Sequence, residues 1–424
     1  MLSPSPLPTE VLDRPRHDRA GQVSANHPDM PTWLMLLIAA ACGLIVANLY
    51  YVQPLVGPIR AEIGLPAGAA GLLVTLTQLG YCAGLLLVVP LGDLLENRKL
   101  VLALVALLVA ALVAAPLAPA LGHPVPAFLA CSLVIGFSAV SVQVLVPYAS
   151  HMAAEHVRGR VVGNIVSGLM FGIMLARPVA SFVTHAWSWQ GVYVLSAVLM
   201  VVLGIVLRVL LPARRPHATL GYGALLASMA GLVRELPVLR RRAIYQAGMF
   251  GAFSVFWTVV PLLLASPAYG MNQRDIAWFA LAGVAGTIAA PLSGRVADRG
   301  WTRPATVFCM LLGLLAFVPT LGLADGGRFG VGILVAAAIA LDFAVSGNLV
   351  LGQRAIYALG AEVRGRVNGL YMATFFLGGA TGSALGAWSY AHGGWQAACA
   401  VGMGLIGAVF VVFLTEPRGI TSRS

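Results

Sequence analysis

Arg177 stands near the middle of "FGIMLARPVASFV", residues 171–183, and Asp342 near the middle of "AAAIALDFAVSG", residues 336–347. A charge at the centre of an apolar helix in a bilayer costs roughly 2.5–3.5 kcal/mol on an insertion scale. The two side chains meet that cost differently. A carboxyl group can take up a proton and become neutral. A guanidinium group does not deprotonate in proteins, so it needs an anion or water beside it. Together they offer a proton site and a permanent cation inside apolar surroundings. That is chemistry for moving a proton or holding an anion within a membrane, and ionisable residues so placed are read as functional by default.

The elements that must position them are membrane helices. The 424-residue chain is 59% hydrophobic and 10% charged, where soluble domains carry about 25% charged residues. Windows of about 20 apolar residues give twelve spans, at 32–55, 68–92, 99–121, 124–150, 160–184, 188–211, 241–266, 275–297, 303–323, 329–355, 365–390 and 393–415. The expected fold is therefore all-α, with two six-helix halves at 32–211 and 241–415. A polar tail is expected at 1–31, a connector at 212–240 and a short tail at 416–424. Residues 1–31 lack a signal peptide's apolar centre and read as a disordered cytoplasmic tail. In the connector, "GALLASMAGLVREL" has apolar residues at helical spacing and predicts an amphipathic helix on the membrane surface.

The net charge of +11 would point to nucleic acid in a soluble protein. Here the cations lie between apolar runs, so topology explains them and no nucleic-acid partner is expected. With the N-terminus inside, 22 of the 26 Lys and Arg residues fall in cytoplasmic segments. Three, Arg60, Arg274 and Arg328, fall outside, and Arg177 is left within a span. Both termini are thus expected in the cytoplasm. Lys99 is the single lysine, a composition that fits a GC-rich bacterial genome and hence a bacterial inner membrane. The five cysteines lie singly in apolar runs, and no zinc spacing, phosphate-binding Gly-Lys-Ser/Thr loop or nucleophile triad is visible. No metal, cofactor or enzymatic activity is expected.

The chain repeats itself at an offset of 206 residues. "VRGRVVG" at 157–163 returns as "VRGRVNG" at 363–369, Gly172 as Gly378, and "WQ" at 189–190 as "WQ" at 395–396. The halves are therefore parallel repeats, related by an axis along the membrane normal. At the same offset Arg177 corresponds to Ser383 and Asp342 to Gly136. The shared scaffold demands neither charge.

These features resemble the major facilitator superfamily. Its loop signature G-x-x-x-D-R-x-G-R-R/K is matched after span eight by "GRVADRGWTR", with Gly294, Asp298, Arg299, Gly300 and Arg303. A variant copy follows span two as "GDLLENRK", with Gly92, Asp93, Glu96, Arg98 and Lys99. The resemblance implies that these loops form an inner gate. A carboxylate there can engage a helix N-terminus of the opposite half and neighbouring arginines. Span five, with Gly163, Gly168, Gly172, Ala176 and then Arg177 and Pro178, resembles the glycine-rich motif of the drug/proton antiporter branch. Small residues at that spacing let helices approach closely. "NLYYVQPLVGPI" at 48–59 also looks like the prokaryotic efflux permeases.

At 1.5 Å per residue, Arg177 lies about 10 Å below the outer end of span five and Asp342 about 20 Å below that of span ten. Each side chain leans towards its helix N-terminus, so the two lean towards each other, leaving a gap for a direct pair or a bound solute. Asn48, Tyr50, Tyr51, Gln53, Gln78, Tyr81, Gln143, Gln246, Trp257, Asn348, Gln353 and Tyr371 are candidates to line a central cavity. The resulting expectation is a monomeric, proton-coupled transporter exporting small organic molecules by alternating access. In it Asp342 carries the proton and Arg177 serves the transport site. The alternatives are an organic-anion or sugar-like metabolite carrier that uses Arg177 as an anion clamp, and a receptor or lipid-handling protein on the same scaffold.

Overall fold

The computed structural model describes residues 30–216, 221–283, 289–323, 326, 329–360 and 363–416, leaving aside the side chains of residues 290, 291, 297 and 298. The two tails expected from the sequence lie almost wholly outside the described residues. All regular elements among the described residues are helices. Ten of them are long and apolar enough to cross a membrane: Thr32–Ile63, Ala67–Asp93, Asn97–Ala120, Pro124–Met152, Arg158–Ala186, Trp189–Leu210, Pro237–Leu264, Thr302–Thr320, Gly330–Tyr357 and Arg364–Leu414. The last has 51 residues, about 75 Å of helix against a hydrocarbon core of about 30 Å. It breaks at Gly394, whose φ of 64° is a conformation glycine reaches without a Cβ penalty. Spans eleven and twelve are its two parts. Span eight is described as two helices, Gln273–Ala282 and Ala289–Asp298.

Span one reaches further than the apolar window suggests because it is two helices, Thr32–Ala47 and Val52–Ile63. The Asn48 amide donates to the carbonyls of Leu44 and Ile45, competing with the helix's own ladder, and Pro54 has no N–H for a carbonyl one turn back. This break brings Gln53 towards span five.

The repeat is also visible in the packing. Span five crosses span one so closely that a Cβ on Gly172 would lie 2.2 Å from the Gly43 carbonyl oxygen, and one on Gly168 2.7 Å from that of Ala39. Span eleven crosses span seven in the same way: a Cβ on Gly378 would lie 2.2 Å from the Ala247 oxygen. Lipid tails are as apolar as leucine, so close backbone packing has to supply what the hydrophobic effect supplies in water. Gly163, expected in this packing row, drops out of it. A Cβ there would meet nothing within 4 Å, because Gly163 lies on the exposed side of span five, while its neighbour Asn164 still donates to Met35 Sδ of span one at 3.3 Å.

The halves meet towards the arginine-poor face. A Cβ on Gly71 of span two would collide with the Ser383 carbonyl of span eleven. One turn further in, Thr75 Oγ1 bonds the Ala380 carbonyl at 3.0 Å and Ser383 Oγ at 2.8 Å. Next, Gln78 donates to Ser254 Oγ at 3.2 Å. Phe182 of span five packs edge-on against Trp278 of span eight at 5.4 Å. Towards the arginine-rich face, Asn164 and Ser167 of span five are exposed. The connector helix, Tyr222–Glu235, buries Leu225 and Met229 and touches both halves. Tyr222 Oη donates to the Leu87 carbonyl of span two, and Arg366 of span eleven donates to Ser228 Oγ, each at 2.8 Å.

The arginine asymmetry carries a simple expected result. Ala268, exposed in the turn before span eight, should as Ala268→Cys react with an impermeant maleimide in intact cells. Ser424→Cys should react only after permeabilisation. Labelling of both from one side would reverse or break the topology.

Candidate functional site

Arg177 is 5% exposed and Asp342 8% exposed, and among the described residues they form no ion pair. Trp257 of span seven stands between them. The guanidinium carbon of Arg177 lies 4.3 Å from the centre of the Trp257 ring, and the indole Nε1 donates to Asp342 Oδ1 at 2.9 Å. The contact crosses the molecule: span five belongs to the first half, spans seven and ten to the second. Two further rings, Phe253 at 5.1 Å and Tyr50 at 5.3 Å, also face the cation. A cation over an aromatic face gains about 2 kcal/mol or more once desolvated, which offsets part of its burial.

Gln53, brought in by the break in span one, accepts from Arg177 Nε at 2.6 Å. Arg177 Nη2 is buried without a hydrogen-bond partner. On the Asp342 side, Gly283 of span eight leaves the necessary room. A Cβ there would lie 2.8 Å from both Asp342 Oδ2 and the Trp257 ring. The site thus holds a cation and a carboxylate of opposite halves, joined through one indole, with a free donor on the cation.

A column of rings runs from this cluster towards the arginine-rich face. Trp257 lies 6.3 Å from Phe253, Phe253 5.2 Å from Phe250, Phe250 5.6 Å from Phe376, and Phe376 4.4 Å from Tyr81. Phe250, Phe253 and Phe376 were missed by reasoning from polar residues, although the spacing 250, 253, 257 marks one face of span seven.

The expected cavity residues divide. Gln53, Gln78, Tyr81, Gln143 and Trp257 gather at or beside the interface between halves, Gln143 by donating to Tyr81 Oη at 3.0 Å. Four others tie helices together within a half. Asn48 accepts from Ser196 of span six at 2.6 Å. Gln246 accepts from Asn348 at 2.6 Å and donates to the Val345 carbonyl. Tyr371, fully buried, donates to the Leu349 carbonyl. A buried amide or hydroxyl needs a partner, and the neighbouring helix supplies it. Tyr51 is buried beside the break in span one, and Gln353 is half-buried, donating to Asn368 at 3.4 Å.

The hydrogen bonds and ion pairs of the gate loops among the described residues stay within each half, while Asp93 of the first loop feels the charge of Arg366 in the second half. Glu96 pairs within its own loop, with Arg98 at 3.6 Å and Lys99 at 3.5 Å. Arg98 also donates to the Leu211 carbonyl, and the Gly92 carbonyl accepts from Asn97; Asp93 is exposed. In the second copy Arg299 is exposed, the Gly294 carbonyl accepts from Arg354, and Arg303 donates to the Glu416 carbonyl at 3.2 Å. Asp298 ends its helix, and its side chain lies outside the described residues. Beside this copy is a buried ion pair that the sequence reading counted only as topology: Arg242, 2% exposed, lies 3.7 Å from Glu416 and donates to Thr306 at 3.0 Å.

A helical chain in two parallel halves, with opposed charges buried where the halves meet, defines a membrane transporter. A family model described as the Major Facilitator Superfamily matches residues 35–242 and 242–424, and the chain belongs to that superfamily. The "Uncharacterized transporter YgaY" of Escherichia coli O157:H7 is 36% identical over 377 residues, covering 89% of this chain and 93% of that protein. Two crystal structures share the fold at 15% identity. The nucleoside transporter NupG has a TM-score of 0.70 over 90% of this chain and 98% of its own. A D-xylose-proton symporter has a TM-score of 0.68 over 89% and 96%.

Proposed function

We propose that the protein exports small organic molecules in exchange for protons, its halves rocking about the Arg177–Trp257–Asp342 cluster. One observation carries this reading: among the described residues, the Trp257 ring contacts one buried charge by its face and the other by its N–H. Rocking the halves apart at the arginine-poor face separates Arg177 from Trp257. Protonating Asp342 removes the negative charge at the far end of the same chain. Solute access and proton binding thereby act on one contact, which is what coupling requires. The arginine-rich face is taken as cytoplasmic, so the conformation described is open inwards and closed outwards. The glycine-rich run of span five supports export through its resemblance to the drug/proton antiporter branch. A sugar–proton symporter on the same fold is consistent with proton coupling.

In vesicles holding the purified protein, an imposed pH gradient should drive solute against its concentration, and a protonophore should abolish the accumulation. Trp257→Phe, which keeps a ring over Arg177 but removes the N–H donor, should lose most pH-driven flux while retaining counterflow. A protein with counterflow but no response to the gradient in its wild-type form would be a uniporter. One without counterflow would fit the receptor reading.

A further inference from the structure

We propose that the exported solute is an organic carboxylate with a flat apolar body, its carboxylate bound edge-on by Arg177. This rests on the reading of the Arg177–Trp257–Asp342 cluster as the transport site.

The argument begins with what is left of Arg177. Its Nε is occupied by Gln53. Its faces are covered by Trp257, Phe253 and Tyr50. What remains is the edge carrying Nη2, a buried donor without a partner in a side chain 95% buried. Asp342 does not fill it, since one of its oxygens takes the Trp257 N–H and no ion pair with Arg177 forms. A buried guanidinium donor left open is costly, so the geometry awaits an acceptor from outside the protein. An oxyanion lying in the guanidinium plane suits that edge, because the planar fork matches a carboxylate and the covered faces exclude approach from above. A cationic solute would meet a permanent positive charge, and a neutral one would offer Nη2 no charged acceptor.

The body of the solute is argued from a different set of residues. Past the cation, Phe253, Phe250, Phe376 and Tyr81 form a column of rings drawn from both halves. Parting the halves exposes these faces, and flat apolar groups pack against such faces by offset or edge contacts. An aromatic or planar aliphatic carboxylate therefore fits both parts: its charge on Arg177, its body along the column.

The test compares solutes matched in shape and differing in charge. Thermal unfolding of the purified full-length protein is followed with benzoate, benzamide and benzylamine, and with phenylacetate and its amide. Benzoate or phenylacetate should raise the unfolding temperature saturably, and the amides and the amine should not. In Arg177→Gln the apparent affinity for the carboxylate should fall by about tenfold or more, with Arg177→Lys intermediate because a point charge replaces a fork. Stabilisation by the amides or the amine, or by no member of the series, would overturn the proposal. If Arg177→Gln does not fold, the wild-type comparison decides alone. The same solutes in the vesicle assay keep the two readings apart. Carboxylate binding with flux indifferent to a pH gradient would sink proton coupling and leave the solute class standing. Proton-driven flux of the amides would do the reverse.

Discussion

Asp342→Asn is expected to reduce pH-driven flux to the level of empty vesicles while leaving counterflow measurable. Asparagine keeps the size and can still accept from Trp257 Nε1, so the 2.9 Å bond and the packing against Gly283 survive. What disappears is the ability to gain and lose a proton. Counterflow needs the halves to rock with solute bound but no net proton movement, so it persists. Arg177→Ala should impair both modes, because it removes the stack on Trp257 and the bond to Gln53 together. Wild-type flux in both variants would show that neither charge takes part in transport and that the arginine is merely tolerated.

The second large effect concerns assembly. Gly172→Val should prevent the protein from folding or leave it with a sharply lowered unfolding temperature. Any Cβ at 172 falls 2.2 Å from the Gly43 oxygen and 2.4 Å from its Cα. Overpacking costs about 1–3 kcal/mol where side chains can yield and occasionally more. Here the obstacle is backbone, so span five must move as a body and take Arg177, five residues on, with it. Gly163→Val is the control, since a Cβ there meets nothing within 4 Å, and it should unfold like wild type. Equal unfolding temperatures for Gly172→Val and wild type would show that the two spans are not held at this crossing.

Much of this arrangement was legible in the chain. Spans announce themselves by length and hydropathy, the halves by a shared offset, and Arg177 and Asp342 by being charges where charges are expensive. Span ends were less legible: a window of apolar residues cannot see that Asn48 and Pro54 break span one and let it continue to Ile63. Nor could the sequence show that Trp257, of all the aromatics on span seven, stands between the charges. Helical periodicity assigns a residue to a face, while the partner on that face depends on how helices distant in sequence cross. The helix bridges made by Asn48, Gln246 and Asn348 were hidden for the same reason, because a polar side chain that bridges two helices and one that faces a cavity have the same sequence signature. Arg242 was hidden among the arginines that cluster at one set of span ends, and its burial beside Glu416 distinguishes it.

The correspondence between Arg177 and Ser383 has a mechanical meaning. A repeated half gives the protein every interfacial position twice, and the two copies need not be occupied alike. Ser383 is small, bonds Thr75 across the seam at 2.8 Å and lets spans two and eleven close. With that duty met in one copy, the other can hold a charge without loss of that closure. Innovation in such a molecule is cheapest at positions whose twin already carries the mechanical load, so its most individual residue sits opposite one of its plainest.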